Sequence, residues 1–304
     1  MYEKVLETNN LTKEFGKFKA VDSINLTIKN NSIYGLVGEN GAGKSTLMRM
    51  LAGLSNKTTG SIKLFGNEVQ RSSKEFRKVG NLIESPALYP NLNAYENLKI
   101  KCLAYDIKDS NHIEEILQIV GLEDVKAKKI KNFSLGMKQR LGIAMALIGF
   151  PKILILDEPI NGLDPRGIVD IRNTLKEINH KYNITILISS HILEELSKVA
   201  TDFGIISKGK LITEFSKEDL HKNCGLRIEI ITRNLKEASN ILTNNGYKNI
   251  IIDNKKIILN DYFDKRNIIN NLLVNSKIDV ESISLEETSF EDYYMEMIKN
   301  EKSY

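Results

Sequence analysis

The sequence predicts an α/β fold: a first domain on a mainly parallel sheet, followed by a small α+β domain. Three observations predict it. Apolar strands alternate with helices, which implies a parallel sheet buried on both faces. A glycine-rich loop, Gly-Glu-Asn-Gly-Ala-Gly-Lys-Ser-Thr at 38–46, lies between an apolar strand and a helix. Near residue 220 glycine becomes rare and asparagine, isoleucine and lysine take over. That shift divides a first domain, 1–220, from a second, 221–304.

Taken in order, Leu6 to Leu11 and Ser23 to Ile28 read as strands, broken by Asn-Asn and Lys-Asn-Asn turns. Ile33 to Val37 is the strand before the loop, and Thr46 to Ala52 the helix after it. Ser61 to Phe65 is a further strand. A helical region runs from about Ala94 to Gly149, with helical apolar spacing clearest over Ile113 to Val120. Strands then return at Ile153 to Leu156 and Ile184 to Ser189, each followed by a helix, Gly167 to His180 and Ile192 to Ala200. Phe203 to Ser207 and Lys210 to Thr213 form a hairpin across Lys208-Gly209. The second domain reads strand (Leu226 to Thr232), helix (Leu235 to Leu242), strand (Asn249 to Ile252), strand (Lys256 to Asn260), helix (Asp264 to Val274), strand (Asp279 to Ser284) and helix (Ser289 to Ile298). That is the split βαβ order of a ferredoxin-like fold.

Composition narrows the function classes. With 41% hydrophobic and 27% charged residues over 304 positions, the chain is ordinary for a globular protein. A net charge of +4 without a clustered basic face argues against a nucleic-acid partner. Cys102 and Cys224 have no metal-ligand spacing and point to a reducing compartment. The first residues carry no signal-peptide pattern. The most apolar stretch, Leu141 to Leu156, is broken by Pro151 and Lys152 and is too short to span a bilayer. Service to a membrane is therefore expected through a partner.

The chemistry starts with the loop. Its glycines let backbone N–H groups close on phosphate oxygens where a side chain would clash. Lys44 reaches toward the β- and γ-phosphates, and the Ser45 hydroxyl suits Mg²⁺. Ile153 to Leu156 is an apolar strand ending in Asp157 and Glu158, and a strand end in an open parallel sheet faces the ligand crevice. Asp157 is placed to hold Mg²⁺ through water, and Glu158 to take a proton from an attacking water. Ser134 and Gly136, at the start of a helix, offer a hydroxyl and free N–H groups to an anion.

In this order the motifs resemble the ATP-binding subunit of ATP-binding-cassette (ABC) transporters over about residues 4–220. The shared features are the phosphate loop, a helical insert, the signature Phe-Ser-Leu-Gly-Met-Lys-Gln at 133–139, Asp157-Glu158, a D-loop at Gly162-Leu163-Asp164 and Ser189-Ser190-His191. The resemblance implies a P-loop NTPase cassette with antiparallel N-terminal strands and a helical subdomain at about 85–150. It implies ATP and Mg²⁺ as ligands, with Phe15 stacking on adenine. Gly38, Asn40, Gly41, Gly43, Lys44, Ser45 and Thr46 would hold phosphates, with Ser45 and Asp157 on Mg²⁺. Glu158 would activate water, His191 would contact the γ-phosphate and Asp164 would link two sites. Ser134 and Gly136 would complete the site of a second copy, so a homodimer sandwiching two ATP molecules is expected, bound to a membrane permease at the cytoplasmic face of the cell membrane.

Two departures from the family pattern stand out. Leu135 replaces a signature glycine. Glu84, in Gly80-Asn81-Leu82-Ile83-Glu84-Ser85-Pro86, stands where the family usually has the glutamine that senses Mg²⁺ and the attacking water. At about 5 Å and an effective dielectric of about 20, such a charge contact is worth about 3 kcal/mol, so Glu84 is a candidate for both metal and catalytic roles. This glutamate, with Leu-Tyr-Pro-Asn-Leu at 88–92 and Ser284-Leu285-Glu286-Glu287-Thr288-Ser289-Phe290, resembles the branch of exporters for lantibiotic immunity and bacitracin resistance. Competing readings are a transporter ATPase for another cargo, a non-transport ABC ATPase, or a nucleotide sensor without turnover. The short insert and single cassette oppose the second; Glu158 and His191 oppose the third.

Overall fold

The segments 33–37, 153–156 and 185–190 become fully buried strands of the first of two units. The computed structural model describes residues 3–253, 255–259 and 262–301. The chain forms two units, Met1–Ser216 and Lys217–Tyr304. The first runs β1 (Lys4–Phe15), β2 (Phe18–Ile24), β3 (Thr27–Lys29), β4 (Ile33–Val37), α1 (Lys44–Leu51), β5 (Thr59–Leu64), β6 (Asn67–Glu68), β7 (Val79–Leu82), α2 (Ala94–Ala104), α3 (Ser110–Ile119), α4 (Leu135–Leu147), β8 (Ile153–Leu156), α5 (Pro165–Tyr182), β9 (Thr185–Ser190), α6 (Leu193–Ser197), β10 (Asp202–Ser207) and β11 (Lys210–Ser216).

Six strands form the main sheet in the order β11-β10-β4-β9-β8-β7, all parallel except β11, which returns antiparallel on β10. Every residue of β4, β8 and β9 is buried, as a sheet covered on both faces requires. The β10–β11 turn puts Lys208 and Gly209 at φ 46° and 81°, the left-handed pair of a tight hairpin. A second sheet, β2-β1-β5-β6 with β3 also on β1, is antiparallel throughout.

Two local expectations need correction there. Asn9-Asn10 is not a turn: β1 continues to Phe15, and Asn10 (φ 45°) forms a bulge whose N–H donates to Asn25 Oδ1 at 2.8 Å. The span 23–28 is not one strand. The Thr8 hydroxyl donates to Ile24 O and accepts from Leu26 N–H, both at 2.8 Å, where β2 ends and before β3 begins.

In the chain, α2, α3 and α4 lie between β7 and β8. Asn93 and Glu96 close a capping box on α2, and the side chain of Asp109 caps α3. Asp164 caps α5 with Pro165 in the first turn, and Asn183 ends it at φ 52°. The helix expected over 192–200 is confined to Leu193–Ser197.

The second unit contains α7 (Lys217–Asn223), β12 (Gly225–Thr232), α8 (Leu235–Asn244), β13 (Ile250–Asp253), β14 (Lys256–Leu259), α9 (Arg266–Asn275), β15 (Val280–Thr288) and α10 (Phe290–Glu301). Its antiparallel sheet has the order β13-β14-β12-β15. Placing β14 between β12 and β13 is the split βαβ expected from the sequence. Ile228, Ile230, Ile257 and Leu259 alternate along the strands and pack with Ala238 and Leu242 of α8 and Ile269 and Leu273 of α9. Asn260, expected to end β14, lies outside the described residues.

Candidate functional site

The loop after β4 is set by two glycines. Gly43 takes φ 107°, and a Cβ there would lie 2.4 Å from the Ala20 carbonyl oxygen of β2. Only glycine permits both. Gly41 (φ 83°) is different: a Cβ there meets nothing within 4 Å. The loop's open side therefore presents bare backbone, a geometry suited to an anion. From Gly43 the chain turns directly into α1, which starts at Lys44, two residues earlier than the sequence pattern suggests. Ser45 and Thr46 thus lie in the first helical turn, where N–H groups lack intrahelical acceptors and the helix dipole favours an anion. Asn40 and Gly41 are exposed at the loop's crest, and Gly38 is buried at its base.

Lys44 is almost completely buried, at 4% exposure. Its ammonium donates to the carbonyls of Gly38 (2.7 Å) and Glu39 (3.1 Å) and lies 3.5 Å from Glu158 Oε1. The loop is braced from outside by a backbone chain: Gly209 N–H donates to Ala42 O at 2.9 Å, and Asp22 N–H to Gly209 O at 2.8 Å.

Asp157 and Glu158 leave the end of β8. Asp157 is buried, and its Oδ1 accepts from the Ser189 hydroxyl at 2.5 Å. Glu158 sits at φ 47°, unusual for a residue with a Cβ. Its Oε2 is 3.1 Å from both Asn161 Nδ2 and His191 Nδ1. Ser190 shapes the turn that carries His191 by accepting from Ile192 N–H at 2.9 Å. Lys44, Asp157, Glu158 and His191 are thus drawn together from α1, β8 and β9. Ser189 and Asn161, unassigned from sequence, join them; the available signal was a hydroxyl pair closing a fully buried strand.

The donor set fits a hard cation only in part-shell form. Among the described residues no group of three His, Cys, Asp or Glu side chains can hold a metal. One carboxylate and one serine hydroxyl suit Mg²⁺, which keeps waters and takes substrate phosphate oxygens.

Glu84 leaves β7 as Glu158 leaves β8: Leu82 pairs with Leu156, and each glutamate follows two residues later with positive φ (66° for Glu84). Its carboxylate is exposed and ion-paired with Arg49 of α1. Beyond it, Ser85, Pro86, Leu88, Lys101, Gly142 and Met145 line a cavity of about 230 Å³. Burial holds the Lys101 ammonium below the usual lysine range, and it sits 5.7 Å from the Tyr105 ring centroid. Lys101→Met is expected to raise the urea midpoint at pH 8, where wild type carries the desolvated charge in the folded state. The advantage shrinks as pH rises from the folded pKa through the unfolded value of 10.5, above which neither state is charged. A gap that stays constant from pH 8 to pH 11 would assign the effect to packing.

Ser134, Gly136 and Asp164 are not drawn to the loop. They line another cavity, of about 470 Å³, with Leu135, Arg140 and Leu163. Within the chain Ser134 and Asp164 cap α4 and α5 through Met137 N–H (3.3 Å) and Gly167 N–H (3.0 Å). Phe15 lies at the tip of the β1–β2 hairpin, 57% exposed, with the Lys13 ammonium 5.0 Å from its ring centroid.

A mainly parallel sheet, a glycine loop and a buried lysine beside two strand-end carboxylates are the features of a P-loop NTPase. Comparison with known proteins gives the family. The model of the ABC transporter family matches residues 21–161. The bacitracin transport ATP-binding protein BcrA of Bacillus licheniformis is 40% identical over 308 residues, covering 97% of each chain. The lantibiotic transport ATP-binding protein SrtF of Streptococcus pyogenes is 46% identical over 210 residues, covering 69% of this chain and 90% of that one. A nucleotide-free ATP-binding cassette from an ABC transporter superposes with a TM-score of 0.66 at 25% identity, over 72% of this chain and 94% of its own. The chain belongs to the ATP-binding proteins of ABC transporters, and it is an ATPase. Proteins of this family dimerise and work with membrane permeases. Among the described residues no helix is long and apolar enough to cross a membrane.

Proposed function

We propose that this chain powers a separate membrane permease that exports a peptide antibiotic of the bacitracin or lantibiotic type, for resistance or self-protection. The relatives named for bacitracin and lantibiotic transport support the cargo class; one of them matches along nearly the whole chain, the second unit included. The observation that carries the energetic half is the chain of contacts from the glycine loop through Lys44 to Glu158 and on to His191, with Asp157 next in sequence to Glu158.

In this reading the loop amides and Lys44 bind the ATP phosphates, and Phe15 stacks on the adenine. Ser45 and Asp157 hold Mg²⁺, which supplies charge neutralisation at the phosphates. Glu158 accepts the proton of the attacking water, and His191 steers toward the γ-phosphate. Ser134, Gly136 and Asp164 line a cavity without loop residues, which supports their serving the site of a second, identical copy. The permease is met at the cytoplasmic face of the cell membrane. The domain division follows the sequence: a nucleotide-binding domain over 1–220 with a helical subdomain at about 85–150, and an accessory domain over 221–304.

Glu84 acts here as a charged counterpart of the family glutamine, with Arg49 as its counter-ion before nucleotide arrives. Glu84→Ala is expected to raise the Mg²⁺ concentration for half-maximal hydrolysis by about tenfold, the usual size of an outer-shell effect. An unchanged Mg²⁺ titration would remove Glu84 from the metal's surroundings.

The cargo is tested by killing curves on a deletion strain against lantibiotics and bacitracin, complemented with wild type or Glu158→Gln. Sensitivity to one peptide, rescued by wild type alone, is the expected result. No change across the panel would sink the antibiotic reading and leave an ABC ATPase for another cargo.

A further inference from the structure

We propose that Ser189 is the positioning residue for both strand-end carboxylates. The inference deepens the reading of the ATPase site above and rests on it. Ile188 pairs with Leu156, so the next residue of β9 lies beside the first carboxylate past β8. Ser189 is fully buried, with no exposed surface. Its one hydroxyl makes two bonds of opposite sense. The O–H donates to Asp157 Oδ1 at 2.5 Å, and the oxygen accepts the Glu158 N–H at 2.9 Å.

The two bonds do different work. The first is charge-assisted and fixes the rotation of the Asp157 carboxylate, leaving Oδ2 as the oxygen free of this hydroxyl. The second secures the backbone of Glu158 in its left-handed conformation, which costs free energy and persists only where surroundings enforce it. That conformation points the Glu158 side chain toward Lys44, Asn161 and His191. One hydroxyl from a neighbouring strand thus sets the aim of the metal-side carboxylate and of the base together. Removing it leaves two buried polar groups without this partner.

The test uses Ser189→Ala, Ser189→Thr and Ser189→Val in the full chain. Threonine and valine have nearly the same shape, and both suit a strand, so the pair isolates the hydroxyl. Three quantities are measured: steady-state ATP hydrolysis, Mn²⁺ affinity in the presence of ADP by electron paramagnetic resonance, and thermal unfolding without nucleotide. The expected result is a loss of about 10- to 100-fold in kcat and in Mn²⁺ affinity for the alanine and valine variants, with KM for ATP little changed. The threonine variant retains both and unfolds at a higher temperature than the valine variant, which leaves Asp157 and the Glu158 N–H without this partner. Wild-type kcat and Mn²⁺ affinity in the valine variant would overturn the proposal. So would equal losses in the threonine and valine variants, which would make Ser189 a packing residue. Glu158→Gln is measured alongside: if it hydrolyses like wild type, the site reading fails; if it does not, only the Ser189 outcome bears on the inference.

Discussion

Glu158→Gln is expected to abolish steady-state ATP hydrolysis while ATP binding survives, with ATP-loaded chains accumulating as dimers. The expected loss in kcat is at least about 100-fold, the lower end for removal of a general base. The geometry explains why the damage is confined to turnover. Asn161 Nδ2 and His191 Nδ1 lie 3.1 Å from Glu158 Oε2, and Lys44 Nζ 3.5 Å from Oε1. A glutamine amide fills the same space and its oxygen still accepts from one of these donors. It cannot hold a proton taken from water. Lys44 keeps its two bonds to the Gly38 and Glu39 carbonyls, so the loop stays shaped for phosphate. The check is phosphate release together with size-exclusion chromatography in ATP. Hydrolysis at a rate near wild type would remove Glu158 as the base. Loss of binding along with turnover would mean that its charge supports Lys44 and the loop, a structural role in place of a chemical one.

How much of this was legible in the sequence follows from the range of each interaction. The phosphate loop, the acidic strand end and the βα alternation are local patterns, and their residues appear where the pattern puts them. Asn10 shows the limit. Its side-chain type signals a left-handed backbone, and the structure has one, at φ 45°. Whether that conformation makes a turn or a bulge depends on β1's pairing with β5 and on Asn25 across the sheet. Thr8 is a sharper case, since one hydroxyl bonds twice at the break between β2 and β3 from 16 and 18 residues away. The same holds in the site. Ser189 meets Asp157 through the register of β8 and β9, 32 residues apart, and Arg49 meets Glu84 across 35. Neither pairing has a spacing that a linear reading detects. Motifs gave the chemistry; register supplies its aim.

Gly43→Ala is the substitution expected to cost the fold and the site together. A methyl at this position would lie 2.4 Å from the Ala20 carbonyl oxygen, a backbone atom with no rotamer to change. That strand cannot drift away easily, because Asp22 N–H is tied to Gly209 O and Gly209 N–H to Ala42 O in the loop itself. The new residue must also hold φ near 107°, outside the comfortable range of any L side chain. Left-handed strain of about 1–2 kcal/mol and overpacking of about 1–3 kcal/mol give a destabilisation of about 2–5 kcal/mol. Relief requires the loop to move, and the amides facing the phosphates move with it, so nucleotide affinity falls as well. Gly41→Ala is the matched control. It carries similar backbone strain at φ 83°, but its methyl meets nothing within 4 Å. Thermal unfolding without nucleotide and binding of a fluorescent ATP analogue separate the two. Gly43→Ala lowers both, whereas Gly41→Ala lowers stability by only about 1–2 kcal/mol, and any larger loss of affinity at Gly41 marks its empty side as the place the phosphates occupy. If Gly43→Ala unfolds and binds like wild type, β2 yields to the loop, and the brace through Gly209 is not what holds the cradle's shape.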